Sequence, residues 1–164
     1  IPENELSRAA AIELSMTTAG PEVDENLQTN VPGIFACGNV LHVHDLVDHV
    51  SEESARAGRS AAAYIRGEAP VAAQLIRIEE GFGARAVVPQ FLSSEAMKKP
   101  VTITFRPTNV FENAYVLLEQ NGKVIKKIKR RILIPGEMAV INLKAEDFKD
   151  ADPQEKFVLK VLSK

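Results

Sequence analysis

Thr29-Asn-Val-Pro-Gly-Ile-Phe-Ala-Cys-Gly-Asn39 is the stretch on which a reading of this chain turns. Val31-Pro32-Gly33 reads as a turn, because Pro presets φ and Gly follows where a positive φ is needed. Ile34-Phe35-Ala36-Cys37 is short and wholly apolar, the pattern of a strand buried on both faces of a parallel sheet. The run ends at Gly38 and Asn39, and a helix starts soon after. Gly38 would let a ligand approach the backbone, and Asn39 would offer hydrogen bonds. The helix N-terminus would present unpaired N–H groups to a phosphate or a ribityl chain. The same pattern also suits an ordinary strand–loop–helix joint.

Outward on the C-terminal side, the spacing predicts a helix from about Asp45 to Tyr64 or Arg66. Leu46, Val50, Ser54, Ala57, Ala61 and Ile65 step by three or four and trace the expected buried face. Glu52, Glu53, Arg56 and Arg59 fall opposite, on the expected solvent face. Gly67 is placed to stop the helix, with Pro70 beyond it. On the N-terminal side, residues 3–10 suit a short helical turn. Ile12–Met16 and Pro21–Asp24, flanking Thr-Thr-Ala-Gly, suit a hairpin or meander.

The segment resembles the second flavin-binding motif of the FAD-dependent pyridine nucleotide-disulfide oxidoreductases, the thioredoxin reductase-like flavoproteins. Thr29, Pro32, Ile34, Phe35, Ala36 and Gly38 stand in register with that motif. Gly20-Pro-Glu-Val-Asp-Glu-Asn-Leu-Gln-Thr29 resembles the stretch before it, so the resemblance covers roughly residues 1–70. The family's motif ends in Asp, whose carboxylate binds a ribityl hydroxyl; here Asn39 stands there, and an amide still accepts that bond. The family's N-terminal Gly-x-Gly-x-x-Gly, which holds the FAD pyrophosphate, and its NAD(P)H-binding glycine motif do not occur. The resemblance therefore implies the C-terminal portion of an FAD-dependent, NAD(P)-linked oxidoreductase, inactive by itself. An opening of Ile-Pro-Glu without Met or a signal-peptide pattern fits that expectation. FAD in the parent protein is the implied cofactor, and NAD(P)H bound by another domain is the implied co-substrate. Gly38, Asn39, His44, Asp45, Leu46 and Val47 are the implied flavin-contacting residues. His44 is the candidate catalytic proton donor, since imidazole titrates near neutral pH and reduced flavin exchanges protons.

Further along, the composition changes. Residues 1–83 carry five basic residues, all Arg, and thirteen acidic ones; residues 84–164 carry fifteen basic and nine acidic. All eleven lysines lie in the second half and all three histidines in the first. This split predicts two units, 1–80 and 81–164, joined near Gly81-Phe-Gly-Ala-Arg85. Gly81-Phe-Gly-Ala-Arg-Ala86 matches Gly-x-Gly-x-x-Ala in letters only, because Pro89 interrupts any helix that should begin there. In the second unit, 101–105, 114–119, 123–128, 132–134, 138–143 and 157–162 read as short strands. Asn121-Gly122 is a strong hairpin signal, and turns are expected at Pro135-Gly136 and Ala151-Asp152-Pro153. The expected fold class is α+β: a partial FAD-binding, Rossmann-like α/β segment followed by a small antiparallel, immunoglobulin-like β-sandwich.

The remaining motifs read plainly. His42-x-His44-Asp45-x-x-Asp48-His49 holds ligand-type residues at metal-compatible spacing, but lining a flavin pocket or capping the helix through Asp45 is the preferred reading, and no metal is expected. Cys37 reads as a small hydrophobe in an apolar strand; one cysteine excludes an internal disulfide and favours a cytoplasmic setting. Lys126-Lys-Ile-Lys-Arg-Arg131 reads as a solvated edge strand rather than a nucleic-acid surface. No apolar run reaches the length of a membrane span. The expected partner is the rest of the parent flavoprotein, with self-association of the chain to cover an open sheet edge. A non-catalytic module whose sandwich docks a partner protein is the alternative function.

Overall fold

A computed structural model describes residues 3–69 and 74–163. It is mixed α and β, mostly sheet, and divides into two compact units, Ile1–Val71 and Ala72–Lys164. Pro70 lies outside the described residues.

Among its described residues the first unit holds two α-helices, α1 (Glu5–Ala9) and α2 (Val47–Ile65), joined largely by turns. The expected hairpin is reduced to one antiparallel bridge, Leu14 to Pro21. The apolar run 34–37 is not a strand of a parallel sheet. It makes one antiparallel bridge, Phe35 to Gln28, and only Ala36 is fully buried. An apolar run of four residues does not by itself specify a sheet; it needs neighbouring strands, and the described residues of this unit supply none. Helix α2 forms as its periodicity requires and ends as Gly67 requires. Gly67 sits at φ +71°; its N–H bonds to the Tyr64 carbonyl at 3.0 Å and that of Glu68 to Ala63 at 2.9 Å. These are the paired bonds of a Schellman motif.

The face of α2 that packs inward keeps Val50, Ala57 and Ala61 of the expected face and takes in Glu53. Glu53 and Ala57 are its buried residues. Leu46, just before the helix, and Ser54 and Ile65 within it are exposed. The inward stripe runs Val50, Glu53, Ala57, Ala61, a second series with three- and four-residue steps. Tyr64 ends it, meeting Phe35 edge-on with ring centroids 6.2 Å apart.

Among its described residues the second unit contains eight strands: β1 (Leu75–Glu80), β2 (Ala84–Val88), β3 (Phe91–Ser93), β4 (Val101–Pro107), β5 (Phe111–Gln120), β6 (Lys123–Leu133), β7 (Ala139–Leu143) and β8 (Phe157–Leu162). They form a five-stranded sheet, β3-β1-β8-β5-β6, and a three-stranded sheet, β2-β4-β7. All pairs are antiparallel except β1 with β8, so the sandwich is not purely antiparallel as expected. Both sheets contribute to one apolar core that includes Ile78, Phe105, Val116, Ile141, Phe157 and Leu159. Burial alternates strictly along β4, which is how a period-two strand faces one core. Asn121 and Gly122 adopt φ +50° and +77° in the β5–β6 turn, the type I′ geometry their sequence calls for.

The boundary moves from the expected position. Gly81 and Gly83 are not linker glycines; they make the tight turn between β1 and β2. A Cβ on Gly83, already at φ +78°, would stand 2.8 Å from Phe111 Cζ and 2.9 Å from the Val161 carbonyl. Residues 75–80 therefore belong to the second unit, where β1 lies between β3 and β8. The basic run falls on β6, the edge of the larger sheet, as its lysines suggest. Lys126 pairs with Asp147 at 2.7 Å, and the Lys127 ammonium lies 4.0 Å from the Tyr115 ring centre. Among the described residues no helix is long and apolar enough to cross a membrane.

A chain of residues 72–164 should unfold cooperatively in urea, whereas one starting at residue 84 should not. The shorter chain lacks β1 and with it the buried Ile76 and Ile78. Near-ultraviolet circular dichroism and urea melts of the two would decide the boundary.

Candidate functional site

The loop that the flavin resemblance singles out is held from beneath by one side chain, Glu53. Gly38 (φ +69°) opens a single 3₁₀ turn, Gly38–Val40. Its carbonyl accepts from Leu41 N at 2.9 Å and His42 N at 3.2 Å. Its own N–H donates to Glu53 Oε1 at 2.6 Å. Beyond the turn the chain brings His42 and His44 back over α2. His42 Nε2 lies 2.8 Å from Glu53 Oε2, and His44 Nε2 lies 3.0 Å from Oε1. The two imidazole rings are 4.3 Å apart, tilted by 54°. All three side chains are buried, at 7% exposure or less.

The electrostatics follow from that burial. Desolvation pushes the Glu53 carboxyl upward, but the His42 bond and charge, the Gly38 amide and His44 together outweigh it. Its pKa is held below the ordinary value. Burial lowers the pKa of His44, and the positive potentials of His42 and His49 add to that, against the pull of Glu53. Arg56, one turn along α2, is also lowered by burial while Glu53 opposes the shift.

The sequence-predicted residues are placed as follows. Gly38 is buried at the turn, and Asn39 beside it is exposed. The Asn39 side chain is partly committed: its Oδ1 accepts from His44 N at 3.2 Å. Asp45 is not the N-cap residue of α2. The N-cap is Leu46, which makes no side-chain cap bond. Leu46 and Val47 are 57% and 75% exposed, an apolar start to a helix. Cys37 is a free, half-buried thiol. His42, His44 and Glu53 are brought together. In the sequence His42 is one of a wider cluster, and the helical spacing puts Glu53 on the solvent face. The available signal was the second three-and-four series through Val50, Glu53 and Ala57, which puts a carboxylate on the same face as the small residues.

Two neighbours set the loop's position. Gly20 packs against the backbone of Val40 and Leu41, where a Cβ would collide with the Leu41 carbonyl oxygen. Asp24 is buried; its Oδ1 accepts from the backbone N–H groups of Asn26 at 2.8 Å and Gln28 at 3.0 Å. Burial, and then the neighbouring Glu25 charge, raise its pKa to about 6 despite those bonds. A cleft of about 250 Å³ adjoins the same segment, lined by residues that include Leu6, Ala10, Ile34, Phe35 and Val40.

Comparison with protein-family models, with curated proteins and with solved structures finds no match to this chain.

Two outcomes follow from these contacts. Gly20→Ala should destabilise the chain, by about 1–3 kcal/mol in urea melts, because the added methyl group meets rigid backbone. Asp24 holds its proton more tightly folded than unfolded, so its contribution is fully present below about pH 4 and lost as pH rises through 6. Asp24→Asn keeps the acceptor and removes the charge. Its stability relative to the parent sequence should therefore rise between pH 4 and pH 7.5, by up to about 3 kcal/mol. A difference that is flat with pH would refute the buried carboxylate's role.

Proposed function

We infer that the first unit supplies part of the flavin site of a larger FAD-dependent, NAD(P)-linked oxidoreductase. One observation carries the reading. Residues 38–47 put a positive-φ glycine, an exposed amide and an apolar helix start into one loop, fixed by Glu53. Such a loop suits an extended ligand with a polar chain and a flat ring. Gly38 allows close approach of the backbone, and Asn39 offers its amide to a hydroxyl. Leu46 and Val47 offer apolar surface to a ring, and the first N–H groups of α2 favour negative charge beside them. The flavin, when bound, supplies the hydride and electron chemistry; these residues bind and orient.

His44 fits this reading as a positioning residue better than as an acid. Burial keeps its imidazole neutral near pH 7, and its Nε2 is engaged by Glu53. By holding His44, Glu53 fixes the segment that leads to the exposed helix start. The second unit has no role in the flavin site on this reading. Docking of a partner along the β6 edge is the competing view of the chain.

The parent polypeptide that contains this chain should purify with a flavin absorbance band. Within it, Asn39→Leu should lose FAD on dialysis, with affinity reduced roughly tenfold or more. Asn39→Asp, which keeps an acceptor, should retain it. A colourless parent polypeptide that takes up no added FAD would sink the reading and leave the partner-docking view. The 164-residue chain by itself should be colourless, since the resemblance puts the pyrophosphate contacts in a motif it does not contain.

A further inference from the structure

The flavin reading uses Glu53 only as a support, yet the cluster around it has a composition of its own. His42, His44 and Glu53 place their ligand-type atoms within 4.8 Å of one another. Both imidazoles present the same nitrogen, Nε2, to the two oxygens of one carboxylate. Holding the loop by hydrogen bonds would need one imidazole; the second adds a further desolvated ring. The Nδ1 of His44 is buried and meets no hydrogen-bond partner, in a side chain only 2% exposed; it is orphaned as an acceptor in a hydrogen-bonded triad and as a donor in a metal site, and so favours neither. The Gly38 amide, bonded to Oε1, is the outer contact that orients a ligating carboxylate.

We propose that His42 Nε2, His44 Nε2 and the Glu53 carboxylate form a binding site for a divalent transition-metal ion, with Zn²⁺ the best match. Two neutral imidazole nitrogens and one carboxylate oxygen are the borderline donors that this ion takes, at about 2.0–2.2 Å. Tetrahedral ligands at such lengths stand about 3.3 Å apart. The observed 2.8 and 3.0 Å contacts, made to different oxygens of the carboxylate, open by a few tenths of an ångström, while the widest ligand-atom separation, up to 4.8 Å, closes by about an ångström or more to admit the ion. Side-chain rotation supplies that movement and leaves the Gly38 turn in place. Each imidazole then carries its proton on Nδ1. Three protein ligands leave a further position for water or a small anion, as in an open rather than a closed site. Arg56, drawn to Glu53, opposes the ion, so affinity is expected in the range of a three-ligand site.

The site's pattern is a His-x-His pair on a loop and a Glu two turns into the following helix. Bound metal would cross-link the loop to α2 and strengthen what Glu53 already does. The proposal stands whether or not the chain belongs to a flavoprotein, and its assay reads no flavin.

The test uses the full chain, expressed without a histidine tag, stripped with chelator and titrated with Co²⁺ and then Zn²⁺. One Co²⁺ per chain should bind, with the visible d–d bands of a four- or five-coordinate ion, and Zn²⁺ should displace it. Glu53→Gln and His42→Ala should each weaken binding about tenfold or more, while His49→Ala should leave it intact. Circular dichroism reports whether each variant is folded. If Glu53→Gln is not, His44→Gln, which lies on the loop outside α2, takes its place. Absence of the Co²⁺ bands at saturating metal, or binding that survives the loss of His44, would overturn the proposal and leave a hydrogen-bonded triad.

Discussion

A buried carboxylate, Glu53, fixes the geometry of the first unit. A charge removed from water costs several kcal/mol unless it is hydrogen-bonded and paired. Glu53 meets that cost with the Gly38 amide and two imidazoles, and contacts of this charge-assisted kind contribute about 1.5–3 kcal/mol each. The bonds are directional, so they set the rotation of α2 about its axis. With Glu53 inward, Val50 and Ala57 follow it and Ser54 turns outward. Hydrophobicity alone favours a face that shares Val50 and Ala57 but includes Ile65 and leaves Glu53 in solvent. Satisfying one charge outweighed burying a few methyl groups.

This explains which parts of the chain were legible. Local rules worked where one residue's backbone decides the outcome. Gly67 ends α2, Asn121-Gly122 turns the β5–β6 hairpin, and the period-two pattern of 101–105 forms a strand. They failed where tertiary pairing decides. The 34–37 run looks like a buried strand only if neighbours exist, and the structure gives it a single bridge. Gly81 and Gly83 read as slack in the chain, but the close approach of Val158, Leu159 and Lys160 to the first and of Phe111 and Val161 to the second is what requires them. For the site, His42 and His44 stood out as residue types, whereas Glu53 looked like one more acid on a solvated face.

The charge split misled for a related reason. Acidic residues up to Glu80 and lysines from 98 onward suggested two units meeting near residue 81. Charge on a strand marks its solvent side, not the domain to which it belongs. β1 pairs in parallel with β8, and Glu79 meets Lys156 across that pair at 2.9 Å. The acidic end of one composition block and the basic end of the other are neighbours within a single sheet. The opposite charges complement each other there, although an exposed pair of this kind contributes little to stability.

The two units are held by different kinds of force. The second buries a continuous apolar core drawn from both sheets, so its order is cooperative and tolerant of surface change. In the first, five apolar side chains are fully buried against nine polar or charged ones, among the described residues. Leu6, Met16, Leu46, Val47 and Ile65 stand exposed instead. A unit with so little buried apolar surface depends on satisfied polar groups and on close backbone contacts, such as Gly20 against Leu41. Those forces are short-ranged and directional. They specify a loop geometry well, but they resist unfolding less than a core does. A ligand or partner that binds only the folded loop adds its binding free energy to that modest reserve.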